Sequence, residues 1–327
     1  MHADVRIEAP ETGAPRGVLA ERGFSPDEVI MSIPESIAIP FEGSPEEATV
    51  LLLHLKHNRQ RQNQYRSWLN ALPGPQDFVA WDTVEDETLS MLQCPEMEDA
   101  VKERRERLER VWREDEEQGM MYSRQELLGS RNIQWDEVQW AANVVRSRNW
   151  TMGQTESGER LCVMMPLFDM VNHDRASPNK IRYRSGAFEL VHRGAGIAAG
   201  EEITYSYEGE GHELRNDQAA LDYCFMLPLS DDSRLFHVDA VASTAASTEG
   251  ALQEMSPHEL EAERQHMQAI LKEFPTTLAQ DRELLTSLQT ADGPSTAESF
   301  LVEIRAARKA ALRARLEVIE HTMNSCA

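Results

Sequence analysis

An asparagine–histidine pair and two tyrosines are the residues whose types and surroundings point to chemistry. Asn172 and His173 close the apolar run PLFDMVNHD (166–174), flanked by Asp169 and Asp174. Tyr207 ends the acidic segment GEEITYSY (200–207), and Tyr223 lies in RNDQAALDYCF (215–225). Taken alone, an Asn-His-Asp run is either a turn or part of a metal site through His173, Asp169 and Asp174. No second histidine sits at ligand spacing, which argues against the metal. Either tyrosine by itself is most simply a β-sheet aromatic. No Gly-x-Gly-x-x-Gly occurs in a strand–turn–helix context, and no Gly-x-Ser-x-Gly or paired Cys and His marks a nucleophile. These absences disfavour a Rossmann enzyme and a hydrolase.

The elements that must position these residues are short strands and helices. Residues 181–197 (IRYRSGAFELVHRGAGI) are strand-forming around a Ser185-Gly186 turn. Residues 14–40 read as two short strands around a turn, with Arg16-Gly17 ahead of Val18, Leu19 and Ala20. Ser44-Pro45-Glu46-Glu47 starts a helix through an N-cap serine, a proline at the first position and a glutamate reaching back. That helix carries Val50, Leu51, Leu52, Leu53 and Leu55 and turns polar at His57-Asn58-Arg59. Residues 96–118 read as a charged, solvated helix with a thin stripe of Val101, Leu108 and Val111. Residues 136–148 form another helix, pairing Trp140 with Val144 and Val138 with Val145. Arg148 at its end would answer the helix dipole, and Asn216 is a helix-capping type. Capping boxes at Ser256-Pro257-His258-Glu259 and Ser295-Thr296-Ala297-Glu298 open two late helices. The last helix places Leu301, Ile304, Leu312, Leu316 and Ile319 on one side.

In this order the parts resemble a SET domain, the knotted β-fold of protein lysine methyltransferases. The similarity covers about residues 14–228 and is to the Rubisco large-subunit lysine methyltransferase branch, which carries a long helical insert. Tyr65, Trp68, Leu69 and Leu72-Pro73 resemble the insert's signature, and Ser147-Arg148 its closing pair. The resemblance implies S-adenosyl-L-methionine as cofactor and gives each matched residue a role. Tyr207 would stand beside the transferred methyl, orient the amine and balance the cation. Asn172 and His173 would hold the methionine and adenine portions, and Arg148 would pair the methionine carboxylate through a bidentate fork. Arg16 belongs to the opening loop, where backbone approaches the cofactor. Asp169 would greet a cationic side chain at the channel entrance, and Tyr223 would wall the lysine channel.

The chain departs from the family at three points. Pro15 stands where the opening loop carries a first glycine, Cys224 replaces the glycine after Tyr223, and Met152 replaces a second arginine. The loop between the tyrosines is also longer, at 208–213. Methyl transfer from a sulfonium to an amine is an in-line displacement that needs positioning more than strong acid or base groups. Burying a lysine also lowers its pKa from about 10.4 toward the working range.

Composition bounds the reading. A chain of 327 residues has room for one large domain plus a smaller one, or two of similar size, and 41% hydrophobic with 27% charged residues is ordinary for a globular protein. A net charge of −23 disfavours nucleic acid, which needs a basic surface, and suits a basic protein partner. It equally suits an acidic protein kept soluble by its charge. No apolar run approaches a membrane span. The four cysteines, Cys94, Cys162, Cys224 and Cys326, are too far apart for a zinc cluster or a disulfide framework. The N-terminus lacks a secretory or transit signature, which predicts a cytoplasmic or nuclear protein, or a plastid one in mature form.

The expectation is therefore an α+β fold: a SET-domain β-fold with its pseudoknot over residues 1–228, split by a helical insert at 41–148. A helical C-terminal domain at 229–327 would help dock a protein. The activity expected is S-adenosylmethionine-dependent lysine N-methylation of a non-histone protein by a monomer without structural zinc. Two alternatives stay open: a histidine acceptor, and a non-catalytic SET-like scaffold, which Pro15 and Cys224 motivate.

Overall fold

Short runs of alternating or fully apolar residues build the strands, and their register carries Asn172 and Tyr207 to one place. The computed structural model describes residues 4–8, 16–75, 79, 81–113, 124–154, 158, 160–208, 213–228, 236–239, 252, 255–290 and 297–325. Its strands are β1 (Val5–Glu8), β2 (Gly17–Ala20), β3 (Val29–Pro34), β4 (Ile39–Glu42) and β5 (Asn149–Gln154). They continue with β6 (Arg160–Met164), β7 (Asn172–His173), β8 (Lys180–Arg184), β9 (Ala187–Val191) and β10 (Glu202–Tyr205). The helices are α1 (Pro45–His57), α2 (Arg59–Ala71), α3 (Asp86–Leu89), α4 (Pro95–Arg113), α5 (Arg124–Leu128) and α6 (Trp135–Arg148). After them come α7 (Asn216–Gln218), α8 (Pro257–Glu273), α9 (Leu278–Thr290) and α10 (Ala297–Ser325). No described helix is long and apolar enough to cross a membrane.

The chain divides into two compact units. The first comprises Met1–Leu72 and Arg110–Leu214; the second comprises Pro73–Glu109 and Arg215–Ala327. The division expected at 228/229 is not where the contacts separate. Trp81, Leu89, Leu92, Met97 and Val101 share a buried cluster with Ala220, Leu221, Phe300, Leu301 and Ile304. Part of the insert is thereby committed to the core of the C-terminal helices. Sequence periodicity marks which faces are buried but not which face meets which.

The first unit holds three small sheets, ordered β1-β2-β10-β7, β3-β9-β8 and β4-β6-β5. Strands β2 and β3, the two read around a turn in residues 14–40, lie in different sheets. β2 pairs with β1 and β10, and β3 pairs with β9. The β8–β9 hairpin is where the Ser185-Gly186 turn placed it. Ser185 at φ 52° and Gly186 at φ 77° give the left-handed pair that matches strand twist in a two-residue turn. The capping box at Ser44 also forms: Ser44 N–H reaches Glu47 Oε2 at 2.7 Å and Glu47 N–H reaches Ser44 Oγ at 3.3 Å. Helix α1 packs on α6, and a buried pair ties Arg146 Nη2 to Glu46 Oε1 at 3.1 Å.

In the second unit, α10 buries Leu301, Ile304, Leu312 and Ile319, with Leu316 partly covered. The same helix also buries charges. Arg305 and Lys309 meet Asp281 at 3.0 and 2.5 Å, Arg308 meets Asp239 at 2.6 Å, and Arg315 meets Glu263 at 2.7 Å. The predicted box at Ser256 forms, whereas the one at Ser295-Thr296 lies outside the described residues.

Candidate functional site

The site assembles in the first unit around the strand pair β7–β10. These strands run parallel, with Asn172 opposite Thr204 and His173 opposite Tyr205. Tyr207 follows β10 directly and turns back over β7. Its hydroxyl donates to the Val171 carbonyl at 2.8 Å, and its backbone N–H donates to His173 Nδ1 at 3.0 Å. The two rings lie 5.2 Å apart, tilted by 54°. Tyr207 and the Asn172-His173 pair are thus brought together.

His173 accepts on Nδ1, so its proton sits on Nε2 and the ring is neutral. Burial holds its pKa below the ordinary imidazole range. Arg175 acts in the same direction, against Glu208 and Asp174. Arg175 in turn ties this turn to the next segment, bonding Glu208 Oε1 at 2.9 Å and the Leu214 carbonyl at 3.2 Å.

Asn172 donates its amide protons to the Arg16 carbonyl at 3.0 Å and to Glu202 Oε1 at 2.8 Å. It is therefore the backbone of Arg16 that meets the site; the side chain is exposed. Gly17 follows, and a Cβ there would lie 2.4 Å from Glu202 Oε1 and 3.0 Å from Asn172 Nδ2. That close approach explains a glycine at this position. Pro15, the departure from the family's loop, lies outside the described residues.

Arg148 and Asp169 form the second half of the site. Helix α6 ends at Arg148, while β6 runs into a turn at Leu167 that leads to a short 3-10 stretch, Phe168–Met170. Leu167 takes φ 79° and ψ −41°, a sparsely populated conformation for a branched side chain. It aims Asp169 inward. Arg148 Nη1 bonds the Asp169 carbonyl, lies 3.4 Å from Asp169 Oδ2 and touches Met170 Sδ at 3.5 Å. The Trp68 indole N–H donates to the same Asp169 Oδ2 at 2.8 Å.

Asp169, expected at the channel entrance, has a side chain that is 0% exposed, with Oδ2 facing a guanidinium and an indole of the protein itself and Oδ1 buried without a partner among the described residues. Burial pushes its carboxyl above the ordinary range, against the pull of Arg148, Trp68 and the Leu167 backbone N–H. Arg148 Nε is buried with no hydrogen-bond partner among the described residues. The Nε/Nη2 edge is the one suited to bidentate carboxylate recognition.

Tyr223 belongs to the second unit. It ends a π-helical stretch, Ala219–Tyr223, with its ring 6.1 Å from that of Phe225. The carbonyls of this loosened turn are met by side chains of the insert. Trp81 Nε1 donates to Ala220 at 3.0 Å, and Arg104 donates to Leu221 at 2.9 Å and to the Asp222 carboxylate at 2.5 Å. Arg104 came from a run assigned to a solvated face, as did Arg105, which donates to the Trp81 carbonyl at 3.1 Å; mixed charge hides the arginines that turn inward. Cys224, next in the chain, takes φ 58° and ψ 38°, the left-handed region where the family's glycine is at ease. Its thiol donates to the Val79 carbonyl at 3.3 Å.

In the sequence Trp68 reads only as part of the insert's signature, with nothing to show its bond to Asp169. A tryptophan's polar tip gives no periodic signal.

No protein-family model matches the sequence, and neither does any curated protein sequence. Solved structures do match. The SET domain of LSMT bound to lysine and AdoHcy superposes with a TM-score of 0.64 at 18% identity, covering 98% of this chain and 88% of that one. Rubisco LSMT bound to AdoMet gives 0.61 at 18% identity, covering 99% of this chain and 88% of that chain. Rubisco LSMT bound to sinefungin and monomethyllysine gives 0.62 at 17% identity, covering 98% and 88%. Mixed helices and small sheets, a parallel β7–β10 pair and likeness over nearly the whole chain together identify an α+β SET-domain fold resembling that of Rubisco LSMT.

Proposed function

We propose that this chain is an S-adenosylmethionine-dependent methyltransferase acting on a lysine of a non-histone protein. The observation that carries the proposal is the meeting of Tyr207 with the Asn172-His173 corner, its hydroxyl fixed 2.8 Å from the Val171 carbonyl. A hydroxyl that donates to a carbonyl can still accept from an amine N–H. The solved relatives were captured with AdoMet, AdoHcy, lysine and monomethyllysine, which supports the same ligand classes here.

The residues present fit the donor's amino-acid head. The open edge of Arg148 suits an α-carboxylate, and the Asn172 carbonyl oxygen, left over when both amide protons are engaged, suits an α-ammonium. When bound, S-adenosylmethionine supplies an electrophilic methyl on a sulfonium. Tyr207 orients the neutral amine toward it and offers a phenol oxygen to the cation that forms. Positioning of this kind, with no strong base, is what an in-line displacement asks of a protein. Tyr223 enters the proposal, as a wall of the acceptor channel, on the family resemblance alone.

Incubating the protein with tritiated S-adenosylmethionine and a lysate of its own cell tests the reading. Label on a lysine of one protein band is expected. Label on histidine would move the acceptor assignment, and no label with no donor binding would leave the scaffold reading in its place.

A further inference from the structure

Among the described residues, Arg148 is held through Nη1. Nη1 bonds the Asp169 carbonyl, its carboxylate at 3.4 Å and Met170 Sδ at 3.5 Å, so backbone and side chain of neighbouring residues fix the guanidinium plane. The opposite edge includes the buried Nε, which has no partner among the described residues. Leaving a buried cationic N–H unmet is costly unless a ligand supplies the acceptor. Asp169 is fixed in its turn by Trp68, 4% exposed on α2, whose N–H reaches Oδ2 across 101 residues of sequence at 2.8 Å.

We infer that Trp68 and Asp169 are positioning residues that hold Arg148 with its Nε/Nη2 edge toward the α-carboxylate of the methyl donor. The inference rests on the donor assignment above. A tryptophan ring that only filled the core would show no ligand-selective loss on replacement by phenylalanine. Here the N–H sets the rotation of the Asp169 carboxylate, and the guanidinium follows it. The helical insert therefore takes part in cofactor recognition through one indole proton.

Calorimetric titration of the full chain with S-adenosylhomocysteine and with 5′-methylthioadenosine, which lacks the amino-acid head, tests this directly. Trp68→Phe is expected to weaken S-adenosylhomocysteine about tenfold, the loss of one charge-assisted bond. It should leave methylthioadenosine unchanged, raise KM for the donor and keep kcat at saturating donor within about twofold. Equal weakening of both ligands would mean a merely structural tryptophan, and no weakening of either would mean no relay; each overturns the inference. Asp169→Asn keeps the shape and the acceptor for Trp68 and should give the same split if Trp68→Phe fails to fold. A wild-type chain that binds neither ligand overturns the donor assignment itself, and the inference with it.

Discussion

The backbone N–H of Tyr207 donates to His173 Nδ1 at 3.0 Å, with the rings 5.2 Å apart. One imidazole thereby fixes the chain direction of the residue that carries the proposed chemistry. The bond exists only while His173 is neutral.

Acid should therefore loosen this corner. Burial lowers the folded pKa of His173 below the ordinary imidazole range, so the folded state resists protonation. The stabilisation is fully present above the unfolded value and is lost as pH falls through the lowered folded value. Unfolding in urea between neutral and acidic pH should show wild type losing more stability than His173→Asn. Identical pH profiles for the two proteins would contradict the assignment.

Gly17→Ala should disturb the donor site with little cost to the fold. The added Cβ meets Glu202 Oε1 at 2.4 Å, and that flexible carboxylate can swing away only by giving up its 2.8 Å bond from Asn172. Donor affinity should drop by roughly three- to tenfold while stability changes by about 1 kcal/mol or less. Calorimetry and a denaturant curve on the same preparation decide it, and unchanged affinity counts against Asn172 as a ligand.

The second unit makes a separate prediction. Asp281 is buried against both Arg305 and Lys309, and burial pulls the Lys309 ammonium below its ordinary range although Asp281 opposes this. Asp281→Ala leaves two buried cations uncompensated and should destabilise the protein by about 3–5 kcal/mol. A loss under about 1 kcal/mol in urea unfolding would show that water reaches the cluster.

Local chemistry was legible in the sequence and long-range pairing was not. Ser44 and Glu47 declare their capping box because both partners lie within one turn, and Ser185-Gly186 declares its hairpin for the same reason. Asn172 and Tyr207 were legible as a pair only through the order of motifs around them. The separate sheets of β2 and β3, the inward turn of Asp169 and the shared cluster of Trp81 with Phe300 depend on partners far away in the chain. A pattern of apolar residues says that a face is buried. It does not name the surface that covers it.

Tyr207→Phe tests the central claim most directly, by donor affinity and methyl transfer measured on the same protein. The substitution keeps the ring against His173 and the backbone N–H bond, and removes only the hydroxyl on Val171. Donor affinity within about twofold of wild type and turnover reduced about a hundredfold are predicted, the scale of losing one positioned group. Unchanged turnover would take Tyr207 out of the reaction and the enzyme reading with it.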